Sequence, residues 1–296
     1  MGLSVHVRSR ENKMKPIVQI TGAIAVLLGM LMPLQAGAKT LYGSANGGLD
    51  FITVESTTGV ATLVATFNPA GQYFALEFTP DGTLWAIEMG TGQLYTVDPA
   101  TGALTAVGTP IVNALFTQLA SDSDGNLYAT DNTIGSLYSI HKVTGRATAI
   151  GSTGLGVNVG VSFNTAGALY GADGAALTLN TVEPATGATT FVAPITGFAA
   201  NWVGLAIDQA AGTAYMMDFT PTGSLYTLDL ATGEATLVGA TGMDFSLDLA
   251  IRWPVAAVAA GDDGCGWLMP AGKQSLWVLA ILPLMIAGIV LVRRRT

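Results

Sequence analysis

The stretch Leu94-Tyr95-Thr96-Val97-Asp98-Pro99-Ala100-Thr101-Gly102-Ala103-Leu104-Thr105-Ala106-Val107-Gly108 reads as a β-hairpin. Two runs that alternate apolar and polar residues flank a tight turn. In that turn proline pre-sets φ, the Asp98 carboxylate can take up backbone amides, and Gly102 supplies the positive φ that other residues resist. The same turn recurs at Glu55-Ser56-Thr57-Thr58-Gly59, His141-Lys142-Val143-Thr144-Gly145, Glu183-Pro184-Ala185-Thr186-Gly187 and Asp229-Leu230-Ala231-Thr232-Gly233. The closing glycines lie 43, 43, 42 and 46 residues apart.

A second hairpin sits between successive copies of the first. Residues 75–88 (ALEFTPDGTLWAIE), 119–131 (LASDSDGNLYATD), 161–173 (VSFNTAGALYGAD) and 205–218 (LAIDQAAGTAYMMD) each read strand, glycine turn, strand. Every unit therefore holds four short strands, A, B, C and D. Four-stranded units at this period are the signature of propeller blades. Helical repeats are excluded, because no window keeps a 3.6-residue period and glycine recurs too often.

The phase of the repeat decides between an open and a closed array. The repeats begin at Thr40 with a B-type strand and end with an A-type strand over residues 247–253 that no B strand follows. Pairing the orphan A with the first B–C–D set completes a fifth blade and removes the exposed edge that a solenoid or sandwich would leave. The predicted fold is all-β: a five-bladed β-propeller closed by N-terminal B–C–D strands pairing with a C-terminal A strand. The unit resembles the LYTVDPATG-type repeats of bacterial β-propeller proteins of unknown function. The resemblance spans about residues 40–253 and implies the fold rather than an activity.

Composition agrees. Of 296 residues, 50% are hydrophobic, 11% are charged and 37 are glycine, as expected for a β-rich chain with many turns and not for a disordered one. Between residues 39 and 264 four basic residues face 19 acidic ones, a net charge of −15. Such a surface repels nucleic acid and favours cations or basic partners. The single cysteine, Cys265, lies outside the repeats, so no disulfide staples the core.

The two ends read as addresses. Lys13 and Lys15 precede an apolar run, Ile17–Leu34, which ends at Ala36-Gly37-Ala38, the small-x-small form of a signal peptidase site. Residues 1–38 are thus expected to be a signal peptide cleaved after Ala38. Met14 would open a compact signal by itself, so translation from Met1 or from Met14 gives the same mature chain. Residues 39–254 form the propeller and 255–275 a linker. Leu276–Val292 is 17 residues without charge, long enough to span about 26 Å as a helix, and Arg293–Arg295 follow it as a basic cytoplasmic tail over 293–296.

The linker carries Gly261-Asp262-Asp263-Gly264-Cys265-Gly266-Trp267. A short motif, an apolar helix and a terminal basic cluster resemble the tripartite C-terminal sorting signals of Gram-negative bacteria. The Gly-Cys-Gly core is similar to the MYXO-CTERM and GlyGly-CTERM kinds; the Pro-Glu-Pro of the PEP-CTERM kind is absent. That resemblance implies a sorting protease cutting near Cys265, or a lipid on Cys265, and a location in the periplasm or at the cell surface. A plain one-helix anchor with a spare linker cysteine is the other reading.

Candidate site residues fall into three groups. Four B strands end in a carboxylate: Glu88, Asp131, Asp173 and Asp218. A ring of such groups on one face would bind a basic ligand or a cation, with Ca2+ the cofactor it suits; alternatively each caps the amides of its own B–C loop. The D-to-A connections break the repeat and carry aromatics and amides, marking Tyr73, Phe116, Asn201, Trp202 and Phe245 for a carbohydrate or protein partner, or for the core between blades. Enzyme signals are weak. His141 is the only histidine beyond the signal peptide and stands in a turn, which supports neither a triad nor a zinc site. Glu77 and Asp248 are the only acidic residues well inside A strands, and paired inward carboxylates are what five-bladed glycosidases use. The expected function is a non-enzymatic binding module, with a glycan-acting hydrolase or a structural envelope protein as the other readings.

Overall fold

The computed structural model describes residues 37–109, 115–156, 159–199 and 203–254. Asn201, Trp202, Cys265, most of the expected signal peptide and the apolar segment 276–292 lie outside them. Among the described residues no helix is long and apolar enough to cross a membrane.

Twenty strands form five four-stranded antiparallel sheets. Blade I contains β1 (Thr40–Ala45), β2 (Asp50–Glu55) and β3 (Ala61–Thr66). Blade II is β4 (Tyr73–Phe78), β5 (Leu84–Glu88), β6 (Leu94–Val97) and β7 (Leu104–Val107). Blade III is β8 (Phe116–Ser121), β9 (Leu127–Asp131), β10 (Ser136–Ile140) and β11 (Ala147–Ser152). Blade IV is β12 (Val159–Phe163), β13 (Leu169–Asp173), β14 (Thr178–Val182) and β15 (Thr189–Pro194). Blade V is β16 (Val203–Ile207), β17 (Ala214–Asp218), β18 (Ser224–Leu228) and β19 (Ala235–Ala240).

The last strand, β20 (Leu247–Ile251), joins blade I in the order β20-β1-β2-β3. Its register with β1 runs antiparallel from Leu41 opposite Ile251 to Ser44 opposite Leu247. The mixed blade that the repeat phase predicts is therefore the one that closes the ring. The innermost strands β4, β8, β12, β16 and β20 each pack against the next, completing the circle.

The C–D turns have one geometry. Their glycines 59, 102, 145, 187 and 233 all hold φ between 69° and 77°. In each, the glycine N–H donates to the carbonyl of the turn's first residue at 2.7–2.8 Å. That residue's side chain takes a further donor of the turn, as Asp98 Oδ1 does from the Ala100 amide at 2.8 Å and Glu55 does from the Thr57 and Thr58 hydroxyls at 2.6 and 2.8 Å. His141 serves by the same means: its Nδ1 accepts from Val143 and Thr144 at 3.3 and 3.2 Å. Histidine here is an amide acceptor in a turn, in the place where its sisters use a carboxylate.

The apolar residues gather into five clusters, one in each seam between neighbouring blades. The seam between blades I and II is the most aromatic, with Phe51, Phe67, Tyr73 and Phe78 buried and Tyr42 and Tyr95 packed at its edge. Fully burying one such side chain contributes about 1.5–3 kcal/mol. Each sheet is therefore held mainly by its two neighbours, which makes closure a condition of stability and not only of shape.

Candidate functional site

The four B-strand carboxylates end up at the inner ends of the B–C loops, and each serves its own blade. Glu88 accepts from the Gly90 and Thr91 amides at 3.0 and 2.6 Å, from the Thr91 hydroxyl at 2.6 Å and from Gln72 N–H at 3.3 Å. Burial pushes Glu88 up, but these hydrogen bonds outweigh it and hold the carboxyl below its ordinary range. Asp173 takes the Ala175 and Ala176 amides at 2.9 Å and Gly156 N–H at 2.7 Å. Asp131 takes Thr133 N–H at 2.7 Å, and Asp218 takes Ser224 N–H at 2.8 Å and the Thr220 hydroxyl at 2.9 Å.

Gln72 and Gly156 belong to D–A connections, so two of these carboxylates tie the B–C loop to the D–A loop beside it. Both loop sets thereby share one face. The four groups are not brought together: among the described residues no three His, Cys, Asp or Glu side chains gather as a metal would need.

The D–A aromatics divide. Tyr73 is fully buried, its hydroxyl donating to the Pro69 carbonyl at 2.9 Å and its ring packed on Phe67 at 4.4 Å. Burial pushes its phenol well above the ordinary range. Phe116 is fully buried and meets Tyr138 edge-on at 5.2 Å. Both rings belong to seams between blades and present no surface to a ligand.

Phe245 is different. Its side chain is 40% exposed and its backbone sits at φ +47°, a region bulky residues avoid. Neighbouring loops hold it there. Phe245 N–H donates to Thr220 O at 2.8 Å, and the carbonyls of Asp244 and Phe245 accept from Asn46 and Gly47 at 2.7 and 3.4 Å. Its ring lies 5.1 Å from that of Phe219, which meets buried Phe74 edge-on at 5.9 Å. The platform thus forms where blade V meets the closing blade, and Asp244 and Asn46 are exposed beside it.

Phe219 was not among the residues the sequence marked. It directly follows Asp218, at a place where the other blades have Asn46, Met89, Asn132 and Gly174. That single aromatic in an otherwise small or polar column was the available signal.

The two A-strand carboxyls do converge, at the axis. Asp248 is the extra residue of a β-bulge in β20, opposite the Gly43–Ser44 step of β1, and holds φ +63°. Glycine is required around it: a Cβ on Gly43 would stand 2.8 Å from the Asp248 carbonyl, and one on Gly204 would stand 2.7 Å from its Cα. The bulge turns the carboxylate across the seam to accept from Leu76 N–H of blade II, while Leu249 N–H donates to Oδ1 at 2.9 Å. Glu77 follows Leu76, and Gln118 of blade III reaches the same place. Glu77 is 7% exposed, Gln118 1% and Asp248 not at all. Burial raises both carboxyls well above their ordinary range, and the charge of Asp248 raises Glu77 further. Asp248 thus presents no surface and Glu77 only a little.

Solved propellers share the architecture. One chain in a nidogen/laminin complex superposes with a TM-score of 0.50 at 16% identity, over 72% of this chain and 82% of that one. A structural-genomics protein of unknown function from Bacteroides thetaiotaomicron gives 0.50 at 16%, over 73% and 65%. Virginiamycin B lyase from Staphylococcus aureus gives 0.42 at 15%, over 64% and 65%. The chain spans less than two thirds of the lyase and of the Bacteroides protein. At such identities the likeness establishes a β-propeller and no activity. No protein-family profile matches the chain, and no curated protein sequence does.

Proposed function

We propose that this protein is an exported, non-enzymatic binding module that engages a partner protein through the loop face at Phe219 and Phe245. The observation that carries the reading is Phe245: a large exposed aromatic, fixed by backbone hydrogen bonds from two loops in a conformation that costs free energy of order 1–3 kcal/mol. Strain of this kind persists where the surrounding structure imposes it, and the ring it presents stays 40% exposed. A rigid aromatic pair beside exposed Asp244, in a stretch (residues 39–264) of net charge −15, suits a partner offering an apolar anchor among basic residues.

Export rests on the N-terminal pattern ending at Ala38, and retention on the apolar segment 276–292 with the Cys265 motif before it. Mass spectrometry of the mature protein tests both: the reading expects an N-terminus at Lys39 and, if sorting occurs, a C-terminus near Cys265. An intact Arg295-Thr296 end would remove the processing step. The binding site is tested by placing a photo-crosslinking phenylalanine analogue at position 245 or, as a control on the opposite face, at Ala166. A discrete protein adduct from position 245 alone supports the site. Equal adducts from both positions, or a glycan-array signal unchanged by Phe245→Ala, would overturn it.

The hydrolase reading rests on Glu77 and Asp248. Their burial favours a role inside the ring over one in contact with a polysaccharide.

A further inference from the structure

We infer that the propeller axis is a Ca2+ site, formed by Glu77 of blade II, Gln118 of blade III and Asp248 of blade I. Three observations converge. The first is the orphaned amide: Gln118 is 1% exposed, and neither its Oε1 nor its Nε2 has a hydrogen-bond partner in the protein. It lies near enough to Asp248 to favour the carboxylate, yet outside hydrogen-bond geometry. A buried polar atom without a partner is destabilising, and this side chain has two. Native interiors meet that cost with a bound polar species.

The second is the charge. Among the described residues no cationic side chain acts on Glu77 or Asp248. Arg252, the basic residue nearest in sequence, points elsewhere, over the Phe78 ring at 5.2 Å. Burial raises both carboxyls, so ionising the pair without a counter-charge is costly. A divalent cation removes that cost in one step.

The third is the donor chemistry. Two carboxylates and a carboxamide oxygen are hard ligands of the kind Ca2+ takes, with water completing its shell, and Mg2+ fits poorly where ligands cannot adopt a tight octahedron. Asp248 keeps lone pairs free, because the Leu76 and Leu249 amides occupy only part of its capacity. The site is also placed by design of the backbone. The bulge at Asp248 and the glycines that admit it have no other evident purpose, and bulges commonly re-aim a side chain in this way. Glu77 keeps the most exposed surface of the three, so it marks the side from which an ion enters.

The site differs from the B-strand carboxylates, whose oxygens are taken by loop amides, and its failure would leave the Phe219–Phe245 reading intact. The test uses the full-length protein stripped with EDTA. Calorimetric titration with CaCl2 should show one saturable site per chain, a melting temperature that rises with the ion, and a much weaker response to MgCl2. Glu77→Gln and Gln118→Leu should each weaken Ca2+ binding at least tenfold, whereas Glu88→Gln should leave it unchanged. Gln118→Glu should lower the melting temperature in EDTA and restore it in Ca2+, a pattern a merely structural glutamine would not give. No heat and no melting shift up to millimolar Ca2+ would overturn the inference. So would a response that Glu77→Gln and Gln118→Leu leave intact, since that is ion binding at the acidic surface.

Discussion

The C–D turns and the axis lie in the same five blades and are built by opposite rules. At the turns, five sequences converge on one geometry: a glycine at φ near 70°, a 2.7–2.8 Å backbone hydrogen bond, and a side chain that accepts an amide or hydroxyl of the turn, whether carboxylate or imidazole. At the axis, five innermost strands meet and nearly all differ. Blades III, IV and V place Gln118, Gly160 and Gly204 at equivalent positions, blade II has Ala75 there with Glu77 two residues on, and blade I carries a bulged Asp248. The repetition supplies what every blade needs to exist. The polar chemistry has collected where repetition is not needed, because each axial position is occupied once.

This contrast predicts how substitutions should rank. The largest loss is expected in the seams, which serve both regions. Phe116→Ala deletes a fully buried ring and should cost about 3–5 kcal/mol by denaturant unfolding. A cost under about 1 kcal/mol would mean the blades are held otherwise than by their seams. Next is the axis. Gly204→Ala forces a Cβ against the Asp248 backbone, which no rotamer can relieve, and should cost roughly 2–3 kcal/mol.

Glu88→Ala frees amides in two loops and should cost about 1–2 kcal/mol, less than full burial would give because Glu88 is only partly buried. Asp98→Ala, at a fully exposed turn, should shift the melting temperature only slightly. If Asp98→Ala hurt more than Glu88→Ala, the division between repeated scaffold and unique interior would be wrong.

The smallest effect is expected at Phe245. Phe245→Gly relieves a positive φ and should leave stability unchanged or raise it by up to about 1 kcal/mol, while weakening binding of the partner protein that the crosslink identifies.

The two regions should also respond oppositely to pH. In the fold, Glu77 is raised above its ordinary value, so its contribution is fully present below the unfolded carboxyl value and is lost as pH rises through the folded one. Glu55, Asp98 and Asp229 in the turns are lowered by their hydrogen bonds. Their contribution is present above the ordinary carboxyl range and is lost as pH falls through the folded values. In EDTA, Glu77→Gln should therefore stabilise the protein at neutral pH, and the gain should vanish towards pH 4. A gain that is flat with pH would show that Glu77 is not a buried acid.

The same contrast explains what the sequence made legible. Strand number, blade number and the closing pair could be read from 59, 102, 145, 187 and 233, because a tight turn constrains residue type locally. The carboxyl pair could be noticed, since Glu77 and Asp248 are the only acids well inside A strands. Its partner could not. Gln118 meets them because Phe74, Thr117 and Asp248 are bulged residues, and each bulge shifts which neighbours face inward by one position. Alternation along a strand does not report a bulge. Tyr73 and Phe116 illustrate the same limit, since an aromatic beside a variable loop reads alike whether it points to solvent or to a seam. Phe219 escaped because its meaning depends on Phe245, which is 26 residues further along the chain.

One consequence follows from the pairing of β1 with β20. The strands run antiparallel, so Leu41 and Ile251 face each other at the same end of the ladder. A pull that separates the two ends of the chain does not load all these hydrogen bonds together. It opens them in succession from that end, as a zipper does. The ring is therefore stiff against thermal opening, where its seams act in concert, and soft along one mechanical direction. Tension on this protein would first release the closing strand, and with it Asp248 from the axis.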